Sequence, residues 1–211
     1  MKSWMDITPP WDQRFARPLA RVLSHTRITP NNVTTASLVF GLAGALFLAG
    51  GGIAAYWGAG LYMMAQFVDH MDGELARMTE QTSTFGHNYD HIVGGIFEFG
   101  LFCGIGIGLG ADALGGWAMT LGFITAISVG VTVAVRLEMS RRYGHDAIDQ
   151  PSWLGFELED IMYLVGPIAW LDGLDIFLLL ASVGLPIFML LTIWEFFARG
   201  RSLRQQASEK V

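Results

Sequence analysis

The sequence predicts an all-α membrane protein with six transmembrane helices in one bundle, preceded by an amphipathic helix at the membrane surface. The chain has 211 residues, of which 52% are hydrophobic and only 15% are charged. Its mean hydropathy is +0.42, and soluble domains carry closer to ~25% charged residues. The apolar residues also fall in long blocks, and ~20 consecutive apolar residues are what a helix needs to cross the hydrocarbon core.

The first predicted element is an amphipathic helix in the segment WDQRFARPLARVLSHTR. Its apolar residues fall near one helical face and its arginines on another, which is typical of a helix lying in the membrane interface. An ordinary helix packed on the bundle outside the membrane is the alternative. We place it in an N-terminal cytoplasmic segment, residues 1–30, which does not resemble a signal peptide because acids, prolines and arginines precede any long apolar run.

Six apolar segments follow this helix. The predicted spans are 33–49, 53–76, 91–110, 116–138, 158–172 and 175–197. Three of the connections are tight turns, GGG, ADALGG and LDGLD. We assign residues 31–198 to one six-helix domain and residues 199–211 to a basic cytoplasmic tail.

The distribution of positive charge supports this span count. All thirteen lysines and arginines lie near the N-terminus, between the second and third spans, at the end of the fourth span, or near the C-terminus. In a six-span bundle these regions share one side, whereas the opposite turns carry Asp112, Asp172 and Asp175 and no base. The positive-inside rule therefore predicts that both termini are cytoplasmic, and we expect a multi-pass protein of a bacterial inner membrane.

Acidic and small residues at the cytoplasmic ends of the second and third spans form the candidate site. They have the spacing of two helical stripes, one on each helix: Asp69, Asp72, Gly73 and Ala76, then Gly86, Asp90 and Gly94. The clustered carboxylates repel one another, and a hard divalent cation relieves that repulsion. Small residues let a bulky ligand approach the backbone, and Arg77 adds a guanidinium suited to phosphate. Solvated acids at helix ends are the alternative, although acids within a membrane protein are functional by default.

The stretch DHMDGELAR, followed by Gly86 and Asp90, resembles the signature of the CDP-alcohol phosphotransferase (CDP-alcohol phosphatidyltransferase) family. That signature reads D, two residues, D-G, two residues, A-R, about eight residues, G, three residues, D, three residues, D. Every position but the last matches, because Gly94 stands where the final Asp is expected. The stretch TPNNVT, residues 29–34, is similar to the P-N-x-x-T stretch that precedes the first span in this family.

The resemblance implies an enzyme that transfers a phosphoalcohol group from a CDP-linked donor to a hydroxyl acceptor and releases CMP. It implies two divalent ions, Mg²⁺ or Mn²⁺, with Asp69 and Asp90 touching both ions and Asp72 touching one. It also implies a set of donor-binding residues: Asn31, Thr34, Gly73, Ala76, Arg77, Ser83 and Gly86. We expect CDP-diacylglycerol as donor, a small hydroxyl compound as acceptor, a site at the cytoplasmic surface of the bilayer, a homodimer, and no nucleic-acid partner.

Gly94 is the departure from the family pattern. In the family the last Asp is a metal ligand and the proposed base for the acceptor hydroxyl, and glycine can be neither. General-base catalysis contributes about 10²–10⁴-fold, but phosphoryl transfer depends mostly on positioning and charge neutralisation. Glu98, one helical turn further along, is the candidate substitute. The alternative is that Glu98 is a buried acid bonded to a neighbouring helix.

Arg136, deep in the fourth span, is the candidate for binding an acceptor phosphate. Positive-inside anchoring is the competing interpretation for its neighbours Arg141 and Arg142. Two other functions compete with the transferase. A relative that binds metal and CDP-lipid without turnover would bind donor and release no CMP. A transporter would carry acids along a path through several spans, whereas these acids cluster near one face.

Overall fold

The computed structural model describes residues 11–111, 114–143 and 158–208. Within these ranges it contains helices and no strand, which confirms the all-helical prediction. The α-helices are α1 Trp11–Leu23, α2 Pro30–Ala49, α3 Gly52–Met78, α4 Thr84–Gly108, α5 Gly116–Tyr143, α6 Val165–Trp170 and α7 Leu174–Ser208. Short 3₁₀ helices follow α4 and precede α6: Leu109–Ala111 and Leu158–Leu164.

In the part of the chain that the structure describes, four segments are long and apolar enough to cross a membrane: Pro30–Ala49, Thr84–Gly108, Gly116–Tyr143 and Leu174–Gly200. The 27 residues of α3 extend about 40 Å at 1.5 Å per residue, and its C-terminal turns carry the candidate acids. The predicted fifth span corresponds to a 3₁₀ helix followed by the six residues of α6. The count of six spans therefore stays a prediction, as do the domain boundaries at residues 31 and 198.

The helix ends near the candidate site are fixed by side-chain caps. Thr29 caps α2, because its side chain accepts a hydrogen bond from the backbone N–H of Asn32, and Pro30 occupies the first helical position. Ser83 caps α4 in the same way, accepting from the N–H of Gly86 at 3.0 Å. The opposite end of the α2–α3 pair turns at Gly51, whose φ of 64° is readily adopted only by glycine. These signals bring the start of α2, the end of α3 and the start of α4 to one end of the bundle.

Small residues allow the central helices to pack backbone against backbone. A methyl group added to Gly58 on α3 would lie 2.7 Å from the carbonyl oxygen of Gly44 on α2, so neither position has room for a larger side chain. Such close approach between helices is a known source of association inside membranes. Helix α2 also packs on α4, α4 on α5, and α5 on α7. The result is a bundle whose polar residues on α2, α3 and α4 face one another.

Helix α1 packs on the end of α3 through a narrow alanine stripe. Ala16 and Ala20 are fully buried and belong to the same cluster as Met71 and Leu75. The larger apolar residues of α1 point outward, since Phe15 is 66% exposed and Leu19 and Val22 are also exposed. This distribution agrees with an amphipathic helix; its place in the membrane interface stays a prediction.

Candidate active site

Three aspartates predicted from their spacing come together where α3 meets α4. One carboxylate oxygen from each of Asp69, Asp72 and Asp90 lies within 4.8 Å of the other two. Asp72 is buried, at 5% exposure, and the other two are half-buried. Three carboxylates this close repel one another unless a cation neutralises them. Their oxygens are the ligand type that Mg²⁺ and Mn²⁺ prefer.

Two hydroxyl groups of α2 hold these carboxylates. Thr34 Oγ1 donates to Asp72 Oδ2, and Ser37 Oγ donates to Asp69 Oδ1 at 2.9 Å. Each hydroxyl also lies near a backbone carbonyl of its own helix, so its proton is shared. Both residues are buried. Thr34 is among the residues that the family resemblance implied, whereas Ser37 is not, although a serine three residues after Thr34 lies on the same helical face.

A cavity of about 820 Å³ opens beside the aspartates, between α3, α4, α5, α7 and the 3₁₀ helix that precedes α6. Among the described residues that line it, the charged ones are the three aspartates together with Arg77, Glu98 and Arg136. Apolar residues of α5 and α7 form another wall, among them Val133, Leu180, Leu185 and Phe188. A cavity with a charged end and an apolar wall suits a ligand that has a charged head and a hydrocarbon tail.

Gly94 faces this cavity and has room for a side chain. A Cβ atom built on Gly94 meets no atom within 4 Å, so a side chain can begin there without displacing a neighbour. Glu98 lines the same cavity one turn further along α4, where the sequence predicted a substitute carboxylate. Gly73 also lines the cavity, and a Cβ added there would lie 3.6 Å from Nη1 of Arg77.

Arg77 forms an ion pair with Glu74, an acid that was not among the predicted site residues. Its Nη2 donates to Glu74 Oε1 at 2.8 Å, and Arg17 on α1 donates from Nε to Glu74 Oε2 at 3.1 Å. Glu74 is 3% exposed. The spacing of Glu74 and Arg77 on one helix predicts their ion pair. The partner on α1 is 57 residues away in sequence, which no local pattern reveals.

The remaining predicted donor residues lie where α2 meets α4. A Cβ added to Gly86 would lie 3.4 Å from Asn31 Oδ1 and 3.2 Å from Ser83 Oγ, so these three residues are neighbours. They lie outside the set of described residues that line the cavity, as do Thr34 and Ala76. Thr34 nevertheless reaches the site through its bond to Asp72.

The arginines of α5 divide into two groups. Arg136 lines the cavity, and its Cζ lies 5.4 Å from the ring centroid of Phe188. Arg141 and Arg142 are exposed and pair with Glu138, with Arg141 Nε 2.7 Å from Glu138 Oε2. Of these three arginines, only Arg136 lines the cavity, and its role toward an acceptor stays a prediction.

A helical bundle with membrane-length apolar helices and an acid-lined amphipathic cavity has the construction of a membrane enzyme that acts on lipids. The family model described as CDP-alcohol phosphatidyltransferase matches residues 27–197, and the chain belongs to that family. This membership confirms the resemblance noted in the sequence. Together with the apolar helices, it shows an integral membrane protein of the CDP-alcohol phosphatidyltransferase type, which acts in phospholipid synthesis.

Among solved structures, the chain is similar to the crystal structure of Mycobacterium tuberculosis phosphatidylinositol phosphate synthase (PgsA1) with CDP-DAG bound. The TM-score is 0.63 at 23% sequence identity, and the match covers 86% of this chain and 94% of the other. At that identity the likeness shows a shared fold. Comparison with curated proteins gave no match.

Proposed function

We propose that the protein transfers a phosphatidyl group from CDP-diacylglycerol to a hydroxyl acceptor and releases CMP. The observation that carries this proposal is the position of Asp69, Asp72 and Asp90 at the charged end of a cavity with an apolar wall. The solved relative with CDP-DAG bound supports a CDP-linked lipid donor. We place the site and both termini on the cytoplasmic side of a bacterial inner membrane and expect a homodimer.

The three aspartates fit divalent metal ions. They supply oxygen ligands from two helices within 4.8 Å of one another, and the hydroxyls of Ser37 and Thr34 orient two of them from outside, as second-layer partners do in metal sites. We propose that the aspartates hold two ions, Mg²⁺ or Mn²⁺. When bound, such ions neutralise the charge of a pyrophosphate and favour displacement at phosphorus.

The donor is proposed to bind along the end of α3 and the start of α4. Arg77 offers N–H groups to phosphate, and Gly73 leaves the backbone of α3 open to a bulky ligand. The nucleotide is assigned to the junction of α2 and α4, with Asn31, Ser83 and Gly86 nearest it and Thr34 and Ala76 beside them. The apolar wall of α5 and α7 suits the lipid tail, which keeps its hydrocarbon away from water.

The acceptor is proposed to approach from the side of Arg136. Its oxygen forms a bond to the phosphorus that carries the diacylglycerol, the bond from that phosphorus to the CMP oxygen breaks, and the acceptor proton passes to a base. Arg136 suits an acceptor that carries a phosphate of its own, because a guanidinium binds phosphate through charge-assisted hydrogen bonds. Glu98 is the candidate base, because Gly94 stands where the family pattern has an Asp and has no side chain to accept the proton.

A second candidate function rests on one specific observation, the glycine at position 94. Glycine supplies neither a metal ligand nor a base, so the chain would bind metal and CDP-lipid without turnover. The two candidates differ only in the release of CMP, since both require donor binding.

The test is an assay of CMP release by the purified protein, with CDP-diacylglycerol, Mn²⁺ and a panel of hydroxyl acceptors with and without phosphate. Donor binding is measured in the same samples. Transfer predicts metal-dependent CMP release that one acceptor stimulates and that EDTA abolishes. Metal-dependent donor binding with no CMP release from any acceptor supports the binding protein, and absence of donor binding rejects both.

A further inference from the structure

Glu74 is a buried acid that the proposed reaction does not use. Its side chain is 4% exposed, and its two oxygens accept from two guanidinium groups, Arg17 Nε at 3.1 Å and Arg77 Nη2 at 2.8 Å. Charge-assisted bonds of this kind are about twice as strong as neutral ones. A carboxylate buried between two such partners fixes the position of both.

The two arginines belong to different parts of the molecule. Arg77 lines the cavity beside the aspartates. Arg17 lies on the surface helix α1, between Ala16 and Ala20, the residues through which this helix packs on α3. The single carboxylate of Glu74 therefore connects the contact between α1 and α3 to an arginine of the cavity.

Two residues of the same helix, Gly73 and Glu74, set the orientation of the Arg77 side chain. Its guanidinium lies over Gly73, since a Cβ added there would be 3.6 Å from Nη1 and 3.7 Å from Nη2. Glu74 bonds one of the five N–H donors of the guanidinium and leaves others for a ligand. An arginine that is already ordered loses less conformational entropy when it binds phosphate. Without Glu74, the side chain of Arg77, which is 55% exposed, is free to turn into solvent.

We propose that Glu74 is a positioning residue that couples the packing of the surface helix α1 on α3 to the orientation of the Arg77 side chain. The inference rests on the proposed function, in which Arg77 binds the pyrophosphate of the donor. Loss of Arg17 leaves a buried carboxylate with one partner instead of two, which shifts Glu74 and with it Arg77. Arg17 thus acts on donor binding although it does not line the cavity.

The experiment is a double-mutant cycle on donor affinity. The Kd for CDP-diacylglycerol with Mn²⁺ is measured in detergent for the parent protein, Arg17→Ala, Glu74→Gln and the double variant. We expect Glu74→Gln and Arg17→Ala each to raise this Kd about 2- to 10-fold, and Arg17→Ala to add no more than about twofold to Glu74→Gln. The Kd for Mn²⁺ alone stays that of the parent in every variant. Arg21→Ala, which removes an exposed arginine of the same helix, is the matched control and leaves the donor Kd unchanged.

Three results overturn the coupling. The first is an Arg17→Ala variant whose donor Kd equals that of the parent. The second is a double variant in which the two substitutions act independently on the donor Kd. The third is a Kd for Mn²⁺ that rises in parallel with that for the donor. Because the side chain of Arg17 is 53% exposed, its variant tests the coupling even where Glu74→Gln does not fold. A parent protein that binds Mn²⁺ but no donor rejects the proposed function first, and this inference with it.

Discussion

Ser37 Oγ on α2 lies 2.9 Å from Asp69 Oδ1 on α3, and Thr34 Oγ1 donates to Asp72 one turn away. Helix α2 contributes no acid to the site, yet it fixes the orientation of two of the three carboxylates. Partners of this kind set the direction of a ligand's lone pairs and so tune its affinity for a metal.

Replacement of Ser37 by alanine is predicted to weaken metal binding. We expect the Kd for Mn²⁺ to rise about 10-fold, the lower end of the usual effect of losing such a partner, as measured by the electron paramagnetic resonance of free Mn²⁺. Ser182→Ala is the control, since Ser182 Oγ bonds only its own helix at Leu179 O among the described contacts. An unchanged Mn²⁺ affinity in Ser37→Ala would show that its hydroxyl does not orient a ligand.

Replacement of Asp72 by asparagine is predicted to have a larger effect. The change removes a negative charge from a buried position, so we expect the Kd for Mn²⁺ to rise by more than about 100-fold, beyond the range for second-layer partners. Metal-dependent donor binding is lost with it. Asp175→Asn is the matched control at the other end of the bundle, where Asp175 Oδ1 accepts a hydrogen bond from the N–H of Ile176 and the asparagine Oδ1 can accept the same bond. Equal losses in both variants would point to general destabilisation.

Substitution at Gly58 is predicted to separate α2 from α3. A Cβ there would lie 2.7 Å from the carbonyl oxygen of Gly44, so Gly58→Ala forces two backbones apart and costs about 1–3 kcal/mol of stability, as overpacking usually does. The measurement is the midpoint of thermal unfolding in detergent. Gly116→Ala, where an added Cβ meets nothing within 4 Å, keeps the parent midpoint. A Gly58→Ala protein as stable as the parent contradicts the close packing.

Replacement of Arg136 by glutamine is predicted to affect the acceptor alone. Loss of a charged hydrogen bond to an acceptor phosphate is worth about 1.5–3 kcal/mol, so the KM for the acceptor rises at least ~10-fold while the donor Kd is unchanged. Steady-state CMP release at varied acceptor concentration separates the two quantities. Arg141→Gln is the control, because Arg141 is exposed and pairs with Glu138. A change in donor affinity with no change in the acceptor KM would assign Arg136 to the donor.

The sequence predicted the parts of the site that depend on helical spacing. Asp69 and Asp72 share a stripe of α3, and Asp90 and Gly94 share one of α4, because residues three and four apart lie on one helical face. It did not predict the roles of Ser37 and Glu74, which depend on contacts between helices. Ser37 reaches an acid 32 residues away, and no periodicity within one helix reports which residue of the next helix it meets.

The predicted spans also underestimate the helices that carry the site. Helix α4 begins at Thr84 and not near residue 91, and α5 continues to Tyr143 beyond residue 138. Hydropathy reports where apolar residues lie, whereas a helix continues through polar residues as long as its backbone hydrogen bonds form. The extra residues at the start of α4 include Gly86 and Asp90, which belong to the candidate site, and those at the end of α5 include Arg141 and Arg142.

The most direct test of the central claim compares the chain with Gly94→Asp in the assay of metal-dependent CMP release. A Cβ atom at position 94 meets no atom within 4 Å, and the new carboxylate stands where the family pattern has its last Asp. We predict that Gly94→Asp releases CMP about 10²–10⁴-fold faster than the parent, with the same acceptor preference. Gly94→Ala, which fills the position without a carboxylate, is the control and stays at the parent rate. A Gly94→Asp protein that binds CDP-diacylglycerol and Mn²⁺ yet releases CMP no faster than Gly94→Ala would contradict the account.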